Sequence, residues 1–275
     1  MRAYAKINVG LWVRHRREDG YHEIETIFLP LELHDAIQIE KAKQYHVKGP
    51  HYGENDLMYK AYRAMEDRYG PMPISIEIAK RIPAGAGLAG GTADGAAVMR
   101  GMRDLYLPAV EDDTLREIAR PLGADFPYCI ASRPALATGI GDELTFLVPV
   151  PSYPLLLLNP GYPVSTPVAY QRLSADRRAG SVEESIACLV NGDIEGLGRY
   201  AVNHLKPGVA AFCPEVESMI ADLYATGAAF ADMTGSGPTV YGIFADERAR
   251  DRSYAILKAR YAAVIRTRVR GERDV

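Results

Sequence analysis

The chain has 275 residues, 48% of them hydrophobic and 24% charged, which excludes disorder, collagen-like repeats and coiled coil and leaves an ordinary globular protein with a sizeable core. With 32 basic against 35 acidic residues the net charge is −3, without the basic excess of a nucleic-acid binder, although a small polyanion needs only a local cluster of donors. The three cysteines have no paired spacing, and neither a signal-type apolar region nor a run of about 20 apolar residues occurs, so a reduced, cytoplasmic chain with no membrane partner is expected.

The first segment alternates strictly and predicts a strand, with Ala5, Ile7, Val9, Leu11 and Val13 on one face and Lys6, Asn8, Gly10 and Trp12 on the other. Further strands are expected at 26–33, 36–40 and 74–79. Between the last two, Met58, Tyr62, Met65 and Tyr69 fall at helical spacing over 56–69, with Asn55 as N-cap. A glycine-rich loop then opens into a helix at 92–106, and another follows at 114–122, capped by Asp112 or Asp113.

Prolines at 149, 151 and 154 mark a composition shift, which divides the chain into domains of residues 1–150 and 151–275. Beyond it the sequence predicts a short apolar strand at 155–158 and a capping box formed by Ser181 and Glu184. Pro214 reads as a first-turn proline of a helix closed by Gly227. A strand at 239–244, a helix at 246–261 and a strand at 263–269 complete the chain. Strands and helices mix without a strict βαβα rhythm, which favours an α+β fold over a doubly wound sheet.

The stretch richest in chemistry is Pro83-Ala84-Gly85-Ala86-Gly87-Leu88-Ala89-Gly90-Gly91-Thr92-Ala93. Its glycines let the backbone take positive φ and approach a ligand closely, and the free N–H groups of the following helix start suit phosphate oxygens. Thr92 adds a hydroxyl where a nucleotide phosphate would sit. One or two glycines would read as a tight turn; four within seven residues before a helix favour phosphate binding. The loop is not a Walker A, because Gly91 stands in the lysine position. It matches G-x-G-x-x-G at Gly85, Gly87 and Gly90, which raises a nicotinamide-dependent oxidoreductase as a rival, but no apolar strand runs straight into the first glycine.

Set beside the start of the chain, this loop resembles the P-x-x-x-G-L-x-[SG]-S-type signature of the GHMP small-molecule kinases. Ala5-Lys6-Ile7-Asn8, the run from Arg16 to Glu23, Leu122-Gly123-Ala124-Asp125-Phe126-Pro127 and Met233-Thr234-Gly235-Ser236-Gly237-Pro238-Thr239-Val240 are similar to one branch, the 4-diphosphocytidyl-2-C-methyl-D-erythritol kinases. The blocks keep the family order over nearly the whole chain. The resemblance implies a two-domain α+β fold with a ferredoxin-like second domain and the active site in the interdomain cleft. It further implies ATP with Mg²⁺, a cytidine diphosphate methylerythritol substrate, transfer of the γ-phosphoryl group to its 2-hydroxyl, and a monomer or homodimer.

By the same resemblance Asp125 is the general base and Lys6 the cation that stabilises the transferred group, while Asn8 holds a substrate hydroxyl or phosphate. Taken singly, Lys6 would read as a solvated strand lysine and Asp125 as a turn or helix-cap residue. Tyr21 and His22 correspond to recognition of the cytidine end, Tyr170 to an aromatic ring closing on the base from the side opposite Tyr21, and Thr166 and Pro167 to the same segment. Ile140 corresponds to an apolar substrate contact, Asn55 and Lys80 to positions near the adenine, and Gly235, Ser236 and Gly237 to a supporting turn. Ala89 stands for a family glycine and Thr92 for a serine, so a negative φ is expected at both. Asn203-His204-Leu205-Lys206 replaces a usual Asn-Asp-Leu-Glu and receives no role. No metal-ligand spacing is found. A binding module that has lost its chemistry is the non-enzymatic alternative.

Overall fold

The computed structural model describes residues 1–174 and 177–271. Its first half contains β1 (Arg2–Arg16), β2 (His22–Lys41), β3 (His46–Lys48), α1 (Leu57–Tyr69), β4 (Ile74–Ala79), α2 (Gly90–Tyr106), α3 (Asp112–Ala119), α4 (Phe126–Ala131), β5 (Ala135–Thr138) and β6 (Glu143–Phe146). These six strands form one sheet in the order β3-β4-β2-β5-β6, with β1 on the other side of β2. The second half contains β7 (Pro154–Asn159), α5 (Thr166–Gln171), α6 (Val182–Asn191), α7 (Leu197–Tyr200), α8 (Lys206–Ala210), α9 (Glu215–Ala225), β8 (Phe230–Met233), β9 (Val240–Ile243), α10 (Glu247–Leu257) and β10 (Ala263–Arg268). Its sheet runs β10-β7-β9-β8, antiparallel throughout.

Three apolar clusters organise these layers. In the first, Phe28, Ile37 and Ile76 of the larger sheet meet Met58, Met65, Val98 and Met102 of α1 and α2. The second joins the two halves, with Ile7, Val9, Ile27 and Leu29 packed with Leu155, Leu157, Tyr241 and Ile243. In the third, Leu156, Leu158 and Val240 pack with Met219, Leu223 and Leu257. Burying so many large aliphatic side chains, at about 1.5–3 kcal/mol each, is the main force holding the halves together.

The strict alternation expected of the first strand fails at Gly10. This residue adopts φ +77°, and the pairing with β2 shifts between Val9 and Leu11. Trp12 thereby joins Ala5, Ile7 and Val9 in the second cluster, while Leu11 and Val13 turn to the third. A one-residue bulge exchanges the faces of everything beyond it. The free edge of β1 is taken up by other parts of the chain. Lys6 N–H donates to Leu88 O at 3.2 Å, Leu11 N–H to Val202 O at 2.7 Å, and His204 N–H to Leu11 O at 2.9 Å.

Several boundaries differ from the sequence reading. The strands expected at 26–33 and 36–40 are one strand, because β2 continues through Leu33–Asp35 while pairing with β1 along nearly its whole length. Asp56, not Asn55, caps α1 by accepting from Met58 N–H at 2.8 Å; Asn55 ends the short 3₁₀ turn before it. Neither Asp112 nor Asp113 caps α3: both lie in its first turn, where their charge suits the helix dipole. Ser181 accepts from Glu184 N–H, but its own N–H goes to Tyr200 O, so only half of the capping box forms. Pro214 sits at the cap of α9 rather than inside its first turn, and α10 stops at Leu257.

Ala89 departs most instructively. It sits at φ +57°, so the negative φ expected there is not adopted; as the cap of α2 its carbonyl accepts from Ala93 N–H at 2.8 Å. A left-handed alanine costs about 1–2 kcal/mol, which the surrounding structure must offset.

Candidate active site

A cavity of about 1390 Å³ opens between the glycine-rich loop, β1, the start of α1, α5 and the turn joining β8 to β9. β1 carries Lys6 and Asn8 into it. Lys6 is 4% exposed, and its ammonium donates to Asn8 Oδ1 at 2.8 Å, lies 3.5 Å from Asp125 Oδ2 and stands 4.9 Å from the centre of the Phe28 ring. With one donor to Asn8 and one toward Asp125, the third is left for a ligand oxygen.

Asn8 is fixed on all sides. Its amide donates to Thr26 Oγ1 at 2.8 Å, whose hydroxyl donates to Gly10 O at 2.6 Å, and its backbone N–H donates to Thr234 Oγ1 at 2.9 Å. Asp125 is the N-cap residue of α4, its carbonyl accepting from Cys129 N–H at 3.0 Å, but its side chain makes no capping bond and is left free of the helix. Its side chain is 34% exposed and faces Lys6. The pair thus offers a fixed cation and a reachable carboxylate at one spot.

The loop from β4 to α2 supplies the opposite wall. Gly85 and Gly87 take φ +63° and +75°. A Cβ on Gly87 would stand 3.0 Å from both Gly237 O and Thr234 O, so the loop packs backbone to backbone on the β8–β9 turn. Asn203, to which the sequence assigned no role, stabilises that turn: its amide donates to Met233 O at 2.8 Å and to Gly235 O at 2.9 Å. Lys206 of the same segment pairs at 2.8 Å with the buried Asp232, and His204 Nδ1 accepts from Val13 N–H at 3.0 Å. Ser236 Oγ and Thr166 Oγ1 are 2.9 Å apart, linking the turn to α5.

At the far end, the His22 and Tyr170 rings stack with centroids 5.2 Å apart and planes 20° from parallel. The ring beside Tyr170 is therefore His22, while Tyr21 stands 60% exposed at the rim. Burial, with Arg16 and Arg177 nearby, lowers the His22 pKa below its usual value, so its imidazole is neutral at pH 7 and presents one donor and one acceptor. Burial, with Asp125 adding to it, pushes the Tyr170 phenol up to about 12, keeping it a donor.

Asn55, Lys80, Pro83, Ala84, Gly85, Ala86, Gly87, Ala89, Gly90, Gly91, Thr92, Ile140, Thr166, Pro167, Gly235 and Ser236 also line this cavity. Leu88 and Ala93 do not, since their side chains are buried in the core, and Gly237 lies behind the turn. Sequence reasoning missed Phe28 beneath Lys6, and Asp35 and Asp94, which both bind Lys80. Asp94 did carry a signal, as a lone charge among small residues in Gly90-Gly91-Thr92-Ala93-Asp94-Gly95-Ala96. β4 pairs parallel only with the three-residue β3, and every other pairing of the sheet is antiparallel, unlike the mostly parallel sheet that a dinucleotide-binding G-x-G-x-x-G requires.

Comparison with known proteins points the same way. The model of the GHMP kinases N terminal domain matches residues 56–133, and that of the GHMP kinases C terminal region matches residues 185–263. The 4-diphosphocytidyl-2-C-methyl-D-erythritol kinase of Caldanaerobacter subterraneus subsp. tengcongensis is 37% identical over 271 residues, covering 96% of this chain and 94% of its own. The enzyme of the same name from Moorella thermoacetica is 35% identical and covers 97% of both chains. A crystal structure of 4-(cytidine 5'-diphospho)-2C-methyl-D-erythritol kinase superposes with a TM-score of 0.87 at 33% identity, covering 98% of this chain and 99% of that one.

Proposed function

The chain belongs to the 4-diphosphocytidyl-2-C-methyl-D-erythritol kinase family of GHMP small-molecule kinases, and from that premise we propose that it transfers the γ-phosphoryl group of ATP to the 2-hydroxyl of 4-diphosphocytidyl-2-C-methyl-D-erythritol, a step of isoprenoid precursor synthesis. The observation that carries the reading is the Lys6–Asp125 pair, 3.5 Å apart on the wall of the cavity that the glycine-rich loop borders.

Phosphoryl transfer asks a protein for positioning and charge stabilisation. The amides of the glycine loop and of the α2 N-terminus hold the phosphates, with the helix dipole behind them. Asp125 accepts the proton of the attacking hydroxyl, and the spare donor of the nearly buried Lys6 meets the transferred phosphoryl oxygens. Asn8 keeps Lys6 aimed and orients the acceptor. His22, Tyr170 and Tyr21 receive the cytosine end, Ile140, Thr166 and Pro167 line the passage between, and Asn55 and Lys80 border the adenine. Mg²⁺ enters as part of the Mg·ATP substrate, held largely by phosphate oxygens and water. Among the described residues no helix is long and apolar enough to cross a membrane.

The test is ADP release with Mg·ATP and the proposed acceptor, run beside homoserine, mevalonate and galactose. Turnover with the cytidine substrate alone is the expected result; turnover with one of the other three instead would overturn the assignment.

A further inference from the structure

Lys80 stands where the cavity meets the first turn of α2, gripped by two carboxylates from different elements. Asp35 of β2 is wholly buried and fully engaged: Oδ1 accepts the N–H groups of Arg81 and Ile82, and Oδ2 accepts from Lys80. Asp94 of α2 is 3% exposed and only half engaged: Oδ2 accepts from Lys80, whereas Oδ1 is buried without a hydrogen-bond partner. An ionised carboxylate with one oxygen unserved in a dry place is costly, and a proton relieves that cost.

Two carboxylates and one ammonium leave one surplus negative charge when all are ionised, in the wall of the cavity that, on the reading above, receives a triphosphate. The approach is close, since a Cβ on Gly90, the first residue of α2, would stand 3.7 Å from Lys80 Nζ. We infer that Asp94 is a positioning residue that, together with Asp35, aims Lys80 at the nucleotide, and that it takes up a proton as the phosphates arrive, so that the cluster becomes neutral when the anion binds. This rests on the nucleotide reading of the cavity.

The surroundings of Asp94 agree. Burial pushes its carboxyl up to about 7, against the pull of Lys80 and with Asp35 adding to the rise. Lys80 itself is raised, burial being outweighed by its two carboxylates, and it stays charged. From α4 the buried Cys129 thiol is pushed up and stays neutral. On α2, Arg100 is spent on the carbonyls of Cys129 and Ile130; at α1 the cap Asp56 is occupied by the N–H groups of Tyr52 and Met58; on β1, Lys6 is committed to Asn8 and Asp125. A polyphosphate adds negative charge beside a group already near half protonation, which favours the protonated form.

The test is calorimetry of ADP binding to the full chain and to Asp94→Asn and Asp94→Ala, in buffers of different ionisation enthalpy, from about pH 6 to about pH 8. The nucleotide's own phosphate titration is common to all three proteins and cancels. The unaltered chain is expected to take up about half a proton per ADP near pH 7, and to bind up to about tenfold more weakly at the alkaline end. Asp94→Asn, which keeps an oxygen for Lys80 but cannot titrate, should lose that uptake and flatten the profile. Asp94→Ala, which loses the acceptor as well, should weaken ADP at every pH. Equal uptake in the unaltered chain and in Asp94→Asn overturns this inference alone, and so does unchanged affinity in Asp94→Ala. No ADP binding by the unaltered chain overturns it together with the nucleotide reading.

Discussion

Two lysines reach into the same cavity, and the protein treats them in opposite ways. Lys6 is nearly buried, but its carboxylate partner is a third exposed and 3.5 Å away, and one of its donors has no protein acceptor. Lys80 is more exposed and likewise has two partners and a spare donor, but both partners are carboxylates and both are buried. The first arrangement leaves its cation beside one exposed carboxylate; the second holds its cation between a sheet strand and a helix start, tying those elements together while the ammonium still lines the cavity. The two sites differ not in the number of partners but in their charge and burial, so Lys6 keeps more of its positive charge for the cavity than Lys80 does.

The sharpest way to break this contrast is to remove each side chain. Lys6→Ala and Asp125→Asn are expected to lose at least about a hundredfold in kcat, the scale of charge stabilisation or general-base catalysis, with a small change in melting temperature. Steady-state ADP release beside thermal melts checks both, and near-native turnover in Asp125→Asn would remove it from the base role. Lys80→Ala should weaken nucleotide binding and also cost about 2–3 kcal/mol of stability, because it strands two buried carboxylates. The loss has a sign in pH. Without the ammonium, the folded-state pKa of Asp94 climbs further above its unfolded value. Stability is then kept below the unfolded pKa and lost as pH rises through the folded one. Denaturant melts of Lys80→Ala should show a larger deficit at pH 8 than at pH 6.

Smaller changes sharpen the comparison at the loop between the two lysines. Gly87→Ala places a methyl 3.0 Å from two carbonyl oxygens at a positive φ, so nucleotide affinity should fall by about tenfold with a stability loss of about 1–2 kcal/mol. Ala89→Gly relieves a left-handed alanine and should raise stability by about 1 kcal/mol, read as a shift in denaturation midpoint at constant slope.

What the sequence made legible follows the range of the forces involved. The backbone of the glycine loop could be read because its freedom is local: Gly85 and Gly87 declare positive φ in their own identity. Lys6, Asn8 and Asp125 were nameable only through the family resemblance, since nothing local distinguishes them from a strand lysine and a turn aspartate. Asp35, Phe28 and Asn203 were illegible. Each acts on a partner more than 20 residues away, and a buried aspartate in a strand reads no differently from an exposed one until its neighbours are placed. The alternation of β1 misled beyond Gly10 because a bulge is one residue of backbone geometry, and hydrophobicity carries no mark of it.

β1 has one further consequence. One edge is zipped to β2, and the other is riveted to the glycine loop through Leu88, to the β8–β9 hairpin through Thr234, and to residues 202–204. A jaw-like swing of the two halves would have to shear those rivets and open the apolar seam beneath them. The cavity opens instead at the rim, where Tyr21 stands on the hairpin tip, while Lys6 and Asn8 are carried by a strand held along both of its edges.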